Sequence, residues 1–305
     1  MKIEVNSLSF RYEKSKEAVH DASFSVEKGE IFGLVGRNGS GKSTVLGLLA
    51  GALKLQTGEI HFDFGVRDLA HADPRSSVGV VFQSNSLDQK LSCLQNLKLA
   101  AMLYRLKGAE AARRIAECLE LAGLTSVAKN DVASLSGGMK RRLDLVRAIL
   151  HEPEVLLLDE PTVGLDEASF RQMWQVMETL RTRRQLTVVV ATHRPEEAER
   201  CARVAIFQDG KITTIDSPQN LRAQLERDVV VLKSLKTNEV SAHISELFSL
   251  PVVIDGEEIL VQSKEGHLLI PKLVEAFPQG VLTSVSLRQA SMADVFLKLT
   301  GSALS

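Results

Sequence analysis

The chain has 305 residues, enough for one large or two modest domains that each bury their own core. Hydrophobic residues make up 44% and charged residues 25%, an ordinary globular balance that argues against a disordered chain. With 37 basic and 38 acidic residues the formal charge is -1, so the basic field of a nucleic-acid binder is missing and no nucleic-acid partner is expected.

The N-terminus, MKIEVNSLSF, has no apolar signal core, so export of the chain itself is not implied. Residues 1 to about 30 read as short strands, because IEVNSLSFRY and ASFSVEKGE alternate apolar and polar residues between turn signals. IFGLVG is a continuous apolar strand that runs into a glycine-rich loop, and TVLGLLAGAL follows as a helix. Residues 58–62 and 78–82 read as further strands. From about Ser86 to His151 the chain is mainly helical, with Leu94, Leu97, Ala101 and Tyr104 on one helical face and Ile115, Leu119 and Ala122 on another. Pro153 closes the helix that LSGGMKRRL opens.

VLLLD and LTVVVAT are apolar throughout, as in strands of a parallel sheet covered on both faces, and the helix 167–184 lies between them. This alternation predicts an α/β core with a parallel sheet, interrupted by a helical insertion over residues 86–151. Near Asp216 the texture changes. A short helix, PQNLRAQLE, precedes the order β-α-β-β-α-β, which matches a small α+β ferredoxin-like unit, and MADVFLKL adds a last helix. The expected boundary lies near Arg227, giving a first domain over 1–227 and a second over 228–305.

No apolar run approaches the roughly 18 residues needed to span a bilayer, so any membrane-spanning partner is a separate chain. Cys93, Cys118 and Cys201 are far apart and lack metal-ligand spacing, and they read as free thiols of a reducing cytosol.

Three groups of residues carry chemistry. Gly36, Arg37, Asn38, Gly39, Ser40, Gly41, Lys42 and Ser43, followed by Thr44, fit the phosphate-binding pattern G-x-x-x-x-G-K-[ST] between a buried strand and a helix. The glycines let the backbone turn its N–H groups toward phosphate, Lys42 neutralises the β and γ phosphates, and the Ser43 hydroxyl can ligate Mg²⁺. Asp159 and Glu160 end a buried strand, at the edge where parallel sheets hold their ligands. Asp159 is placed for the Mg²⁺ shell and Glu160 to polarise the attacking water. His193 ends the next buried strand and is placed to link the γ-phosphate with Glu160.

The stretch LSGGMKRRL, residues 135–143, raises a further question. Ser136, Gly137 and Gly138 form a second anion site at a helix N-terminus. Met139, Leu143, Val146 and Leu150 give that helix one apolar face. Lys140, Arg141, Arg142 and Arg147 fall mostly elsewhere, and read as a solvated face or as a docking face for an acidic partner.

Taken together these residues resemble the ATP-binding cassette (ABC) ATPases, with all motifs in order over residues 1 to about 225. LSGGMKRRLDLVRAILHEPEVLLLDEPTVGLD resembles the signature, second carboxylate motif and D-loop of that family. The resemblance implies a RecA-like parallel sheet with an antiparallel β subdomain and a helical subdomain. It implies that Gln83 reaches Mg²⁺ as the Q-loop glutamine, that Asp166 is the D-loop aspartate, and that His193 is the switch histidine. Tyr12 matches the aromatic that stacks on adenine; Phe10 is a second candidate, and a core role for either stays open. The signature Ser136, Gly137 and Gly138 then contact the γ-phosphate held by a second cassette, so that two cassettes sandwich two ATP molecules head to tail.

MKRRL and the ending ASMADVFLKLTG are similar to the drug, antibiotic and polysaccharide exporter branch, which works with a separate permease on the inner face of the cell membrane. Arg37 and Ser40 stand where that family often has proline and alanine, and Arg194-Pro195 where the branch often has Tyr-Met; no catalytic position is substituted. The implied function is an ATP-hydrolysing transport subunit, with a homodimer expected; the alternative is a soluble ABC ATPase of repair, translation or regulation.

Overall fold

The computed structural model describes residues 2–13, 17–64, 74–84, 86–225 and 228–300. The chain divides into two compact units, one of Met1–His193 with Arg200–Ile215, the other of Arg194–Glu199 with Asp216–Ser305. The division falls at Asp216, and the boundary expected near Arg227 lies outside the described residues.

The elements of the first unit are β1 (Ile3–Arg11), β2 (Glu17–Val26), β3 (Ile31–Val35), α1 (Lys42–Leu49), β4 (Thr57–Phe62), β5 (Val78–Val81), α2 (Cys93–Leu103), α3 (Gly108–Leu121), α4 (Gly137–Ala148), β6 (Val155–Asp159), α5 (Glu167–Arg184) and β7 (Thr187–Thr192). After α6 (Pro195–Ala198), which groups with the second unit, come β8 (Arg203–Gln208) and β9 (Lys211–Asp216). Six strands form one sheet in the order β5-β6-β7-β3-β8-β9, and the pairs from β5 to β8 are parallel. β6 and β7 are buried at every position, which is why their sequences are apolar without alternation.

A second sheet, β2-β1-β4, is antiparallel. Its alternation slips between Val5 and Leu8, both buried, because Ser7 takes φ 48° in a bulge that adds one residue between the inward positions. Ile3, Val5, Leu8 and Phe24 of this sheet share one core with Val45, Leu46, Leu48 and Leu49 of α1 and with Phe32, Leu157 and Val189 of the parallel sheet. Each such side chain contributes roughly 1.5–3 kcal/mol by leaving water. The helical insertion begins firmly, since Ser92 and Gln95 form a reciprocal capping box at α2. Leu97, Ala101, Ile115, Leu119 and Ala122 are buried as expected, whereas Tyr104 is exposed at its edge and stacks on His151.

β8 and β9 are absent from the strands expected above. The signal was available: Asp209 and Gly210, with φ 49° and 80°, join two β-rich runs as a two-residue hairpin turn.

The second unit contains α7 (Pro218–Ala223), β10 (Asp228–Ser234), α8 (Thr237–Phe248), β11 (Val252–Asp255), β12 (Glu258–Ser263), α9 (Gly266–Glu275), β13 (Leu282–Gln289) and α10 (Met292–Thr300). Its antiparallel sheet has the order β11-β12-β10-β13, the ferredoxin-like arrangement of a βαββαβ unit. Val230, Leu232, Ile259 and Val261 face Val240 and Ile244 of α8 and Leu269 and Leu273 of α9. α10 packs on α6 and α7, where the Met292 N–H donates to Glu199 Oε1 at 3.0 Å. Among the described residues no helix is long and apolar enough to cross a membrane.

Candidate active site

Strand register assembles the site. Val35 pairs with Thr192, and Asp159 with Ala191, so β3, β6 and β7 end level with one another. The loop after β3, the two carboxylates after β6 and His193 after β7 therefore meet at the carboxyl edge of the sheet, all within the first unit.

The loop is tight. A Cβ on Gly36 would lie 2.4 Å from the Phe207 carbonyl oxygen, and one on Gly41 2.4 Å from that of Ala18, so neither position admits a side chain. Gly41, with φ 107°, caps α1 without a side-chain acceptor, which leaves the first-turn N–H groups to an anion. Lys42 is only 4% exposed, and its Nζ donates to the carbonyls of Gly36 at 2.7 Å and Arg37 at 2.8 Å. Burial pulls its ammonium down to about 8, partly countered by the nearby charges of Glu160 and Asp159.

The Ser43 hydroxyl donates to Asp159 Oδ1 at 3.0 Å. Burial pushes the Asp159 carboxyl up, against the Ser43 bond and the charges of Lys42 and Arg141, while Glu160 adds to the rise. Glu160 is buried, and each of its oxygens is held: Oε1 lies 2.9 Å from His193 Nδ1, and Oε2 accepts from Gln83 Nε2 at 2.9 Å. Its backbone takes φ 46°, a conformation uncommon outside glycine. Gln83, expected at the metal position, donates its Nε2 hydrogen to Glu160 Oε2.

A cleft of about 670 Å³ is lined by Tyr12, Asn38, Gly39, Lys42, Ser43, Thr44, Gln83 and Glu160 among others. Tyr12 is 44% exposed, and its hydroxyl lies 3.2 Å from Thr44 Oγ1. Phe10 is buried and meets the Tyr12 ring edge-on at 5.0 Å, so it belongs to the core and supports Tyr12 from below.

Ser136, Gly137, Gly138 and Asp166 do not line this cleft. Ser136 caps α4, accepting from the Met139 N–H at 3.3 Å, and both Ser136 and Gly137 are exposed. Asp166 caps α5, with Oδ1 accepting from the Ser169 N–H at 2.8 Å, and that bond holds its carboxyl below the usual range. Gly138 is buried against Ser169, so the starts of α4 and α5 touch.

The basic run after the signature departs from the expected solvated or docking face. Arg141 and Arg142 are buried, and Arg142 Nε donates to the Ala122 carbonyl at 2.9 Å. Arg147 pairs with buried Asp144 at 2.8 Å. The missed signal is that Leu145, Ala148 and Ile149 widen the apolar stripe until α4 is covered on nearly all sides, which leaves its arginines to seek carbonyls inside.

The family profile for the ABC transporter domain matches residues 19–163. The linearmycin resistance ATP-binding protein LnrL of Bacillus subtilis is 32% identical, with 95% of each chain covered. The Nod factor export ATP-binding protein I of Burkholderia thailandensis is 34% identical over 98% of this chain and 97% of its own. Among solved structures, the dimeric ATP-binding cassette MJ0796 in a post-hydrolysis state with ADP and phosphate superposes with a TM-score of 0.63 at 28% identity. It covers 70% of this chain and 98% of its own.

Proposed function

Because the chain belongs to the ABC transporter ATP-binding proteins and is their ATP-hydrolysing subunit, we propose that its carboxyl-edge cleft is one half of a composite ATPase site shared by two cassettes. The observation that carries this reading is the Glu160 carboxylate, fixed by Gln83 and His193 beside the phosphate loop.

ATP places its adenine on the exposed face of Tyr12, a contact worth roughly 1–3 kcal/mol by analogy with base stacking. Its phosphates take the N–H groups of residues 37–44, and Lys42 turns from its own loop carbonyls to the β and γ oxygens. Glu160 accepts a proton from the attacking water, the bond between the γ-phosphorus and the bridging oxygen breaks, and ADP leaves with phosphate. Gln83 and His193 hold the carboxylate in line. The Ser43 hydroxyl and Asp159 carboxylate are hard oxygen donors 3.0 Å apart, which suits Mg²⁺. The ion would neutralise phosphate charge there.

Ser136 and Gly137 are exposed and outside the cleft, which supports their use on the nucleotide of a second copy. ATP then stabilises the closed pair and phosphate release loosens it, since the nucleotide binds the closed form better. From the cytoplasmic, inner face of the membrane the pair drives a separate membrane-spanning permease, and the names of the relatives favour export. No observation favours a soluble ATPase of repair or translation.

Glu160→Gln tests this. Turnover should fall roughly 10²- to 10⁴-fold, and light scattering should show an ATP-dependent dimer. A variant that stays monomeric at saturating ATP, with or without the permease, rules out the sandwich.

A further inference from the structure

We propose that Arg141 is a positioning residue for hydrolysis, which fixes the backbone of the carboxylate edge from the signature helix of the same chain. The proposal rests on the reading of Glu160 as the base.

Arg141 is 8% exposed and gives its guanidinium to backbone carbonyls. Nε donates to Pro161 at 2.9 Å, Nη2 to Asp159 at 2.9 Å and Glu160 at 3.1 Å, and Nη1 to Phe82 at 2.6 Å. The first three are the last residue of β6 and the two that follow it, and the fourth immediately precedes Gln83. One side chain therefore holds the main chain on both sides of the Gln83–Glu160 hydrogen bond.

Helix packing alone does not call for such a residue. A buried cation is costly even with Asp144 Oδ2 at 3.8 Å from its Nη1, and an apolar side chain of similar volume commonly serves packing as well or better. What calls for it is the left-handed backbone of Glu160. Such conformations persist only where the surroundings over-determine them. Here the Glu160 N–H donates to the Ala191 carbonyl at 2.9 Å, and Arg141 takes the carbonyls before, at and after the residue.

Lysine is no substitute, because the planar guanidinium fork reaches separate acceptors at once and an ammonium is a point charge. Arg141 also lies on α4, whose first residues are Gly137 and Gly138. Displacement of the signature helix thus reaches the carboxylate of its own chain.

The test uses the full chain with Arg141→Met, Arg141→Lys, Arg142→Met and Glu160→Gln, measuring kcat and KM for ATP together with the bound nucleotide per subunit. Arg142 is equally buried on α4 but bonds the Ala122 carbonyl and makes no hydrogen bond to residues 159–161, and it serves as the control for lost packing. We expect Arg141→Met to lower kcat per nucleotide-bound subunit about 10²-fold, the scale set by an ångström of misplacement, with KM within about 3-fold. Arg141→Lys should fall between it and wild type, and it decides the matter if the methionine variant does not fold. Arg142→Met should lose thermal stability with kcat per bound subunit within about 3-fold of wild type.

The proposal is overturned if both Arg141 variants turn over normally while Glu160→Gln is dead, or if Arg141→Met and Arg142→Met lose kcat and binding alike. Turnover retained by Glu160→Gln would remove the site reading itself, and this proposal with it.

Discussion

Adjacent glycines of the signature should respond in opposite ways to the same substitution. A Cβ added at Gly138 would lie 2.2 Å from Ser169 Oγ and 2.7 Å from Ser169 Cβ, whereas one added at Gly137 meets nothing within 4 Å. The hydroxyl can rotate aside, at the loss of its 3.2 Å bond to Asp166 Oδ2. The Ser169 Cβ cannot, because the Ser169 N–H is tied to Asp166 Oδ1 at 2.8 Å. Ordinary contact begins near 3.4 Å, so α4 and α5 must part by about 0.7 Å, an overpacking that costs about 1–3 kcal/mol. Better helix propensity returns at most about 1 kcal/mol. The net loss for Gly138→Ala is then up to about 2 kcal/mol, or a fall of up to about 8 °C in Tm by calorimetry. Gly137→Ala should be neutral or slightly stabilising. A double-mutant cycle with Ser169→Gly should show coupling that recovers most of the loss. The reasoning fails if Gly138→Ala is as stable as Gly137→Ala, or if the cycle shows no coupling.

Two further outcomes depend on protonation. With Lys42 held near 8, the free protein loses this charge as pH rises above that value, while bound phosphates favour the ammonium. ATP binding should therefore take up a proton and weaken as pH rises from about 8, by up to about tenfold per pH unit. Calorimetry at pH 8.5 in two buffers of different ionisation enthalpy reads the uptake, and Lys42→Ala should abolish both tight binding and the uptake. His151 stacks on Tyr104 at 3.9 Å, and burial holds its imidazole down at about 4. The unfolded chain protonates this group near 6.5 and the folded chain only near 4. Its contribution is thus full above pH 6.5 and lost as pH falls toward 4, by about 2 kcal/mol once partial exposure is allowed for. His151→Phe should flatten the acid limb of denaturant midpoints between pH 7.5 and 5; an unchanged slope would show that other groups carry it.

The sequence by itself determined the chemistry and its order along the chain. The phosphate loop is a run of neighbours, and Asp159, Glu160 and His193 each end an apolar strand, so local pattern placed them at one edge of a parallel sheet. The β-α-β-β-α-β order of the second unit was legible for the same reason: short periodic segments between turns state their own type. Tertiary structure alone decided what the neighbours of those residues are. The basic run after the signature has the composition of a wet surface, yet Arg141 is drawn inward by carbonyls of Phe82, Asp159, Glu160 and Pro161, which are remote in the chain until β5 and β6 pair. Gln83 meets Glu160 across 77 positions, and α6, directly after His193, packs with α10 of the second unit. Spacing along a chain fixes which groups share a loop or a helix face. Which of two adjacent glycines must stay a glycine is settled only when another helix is brought against one of them.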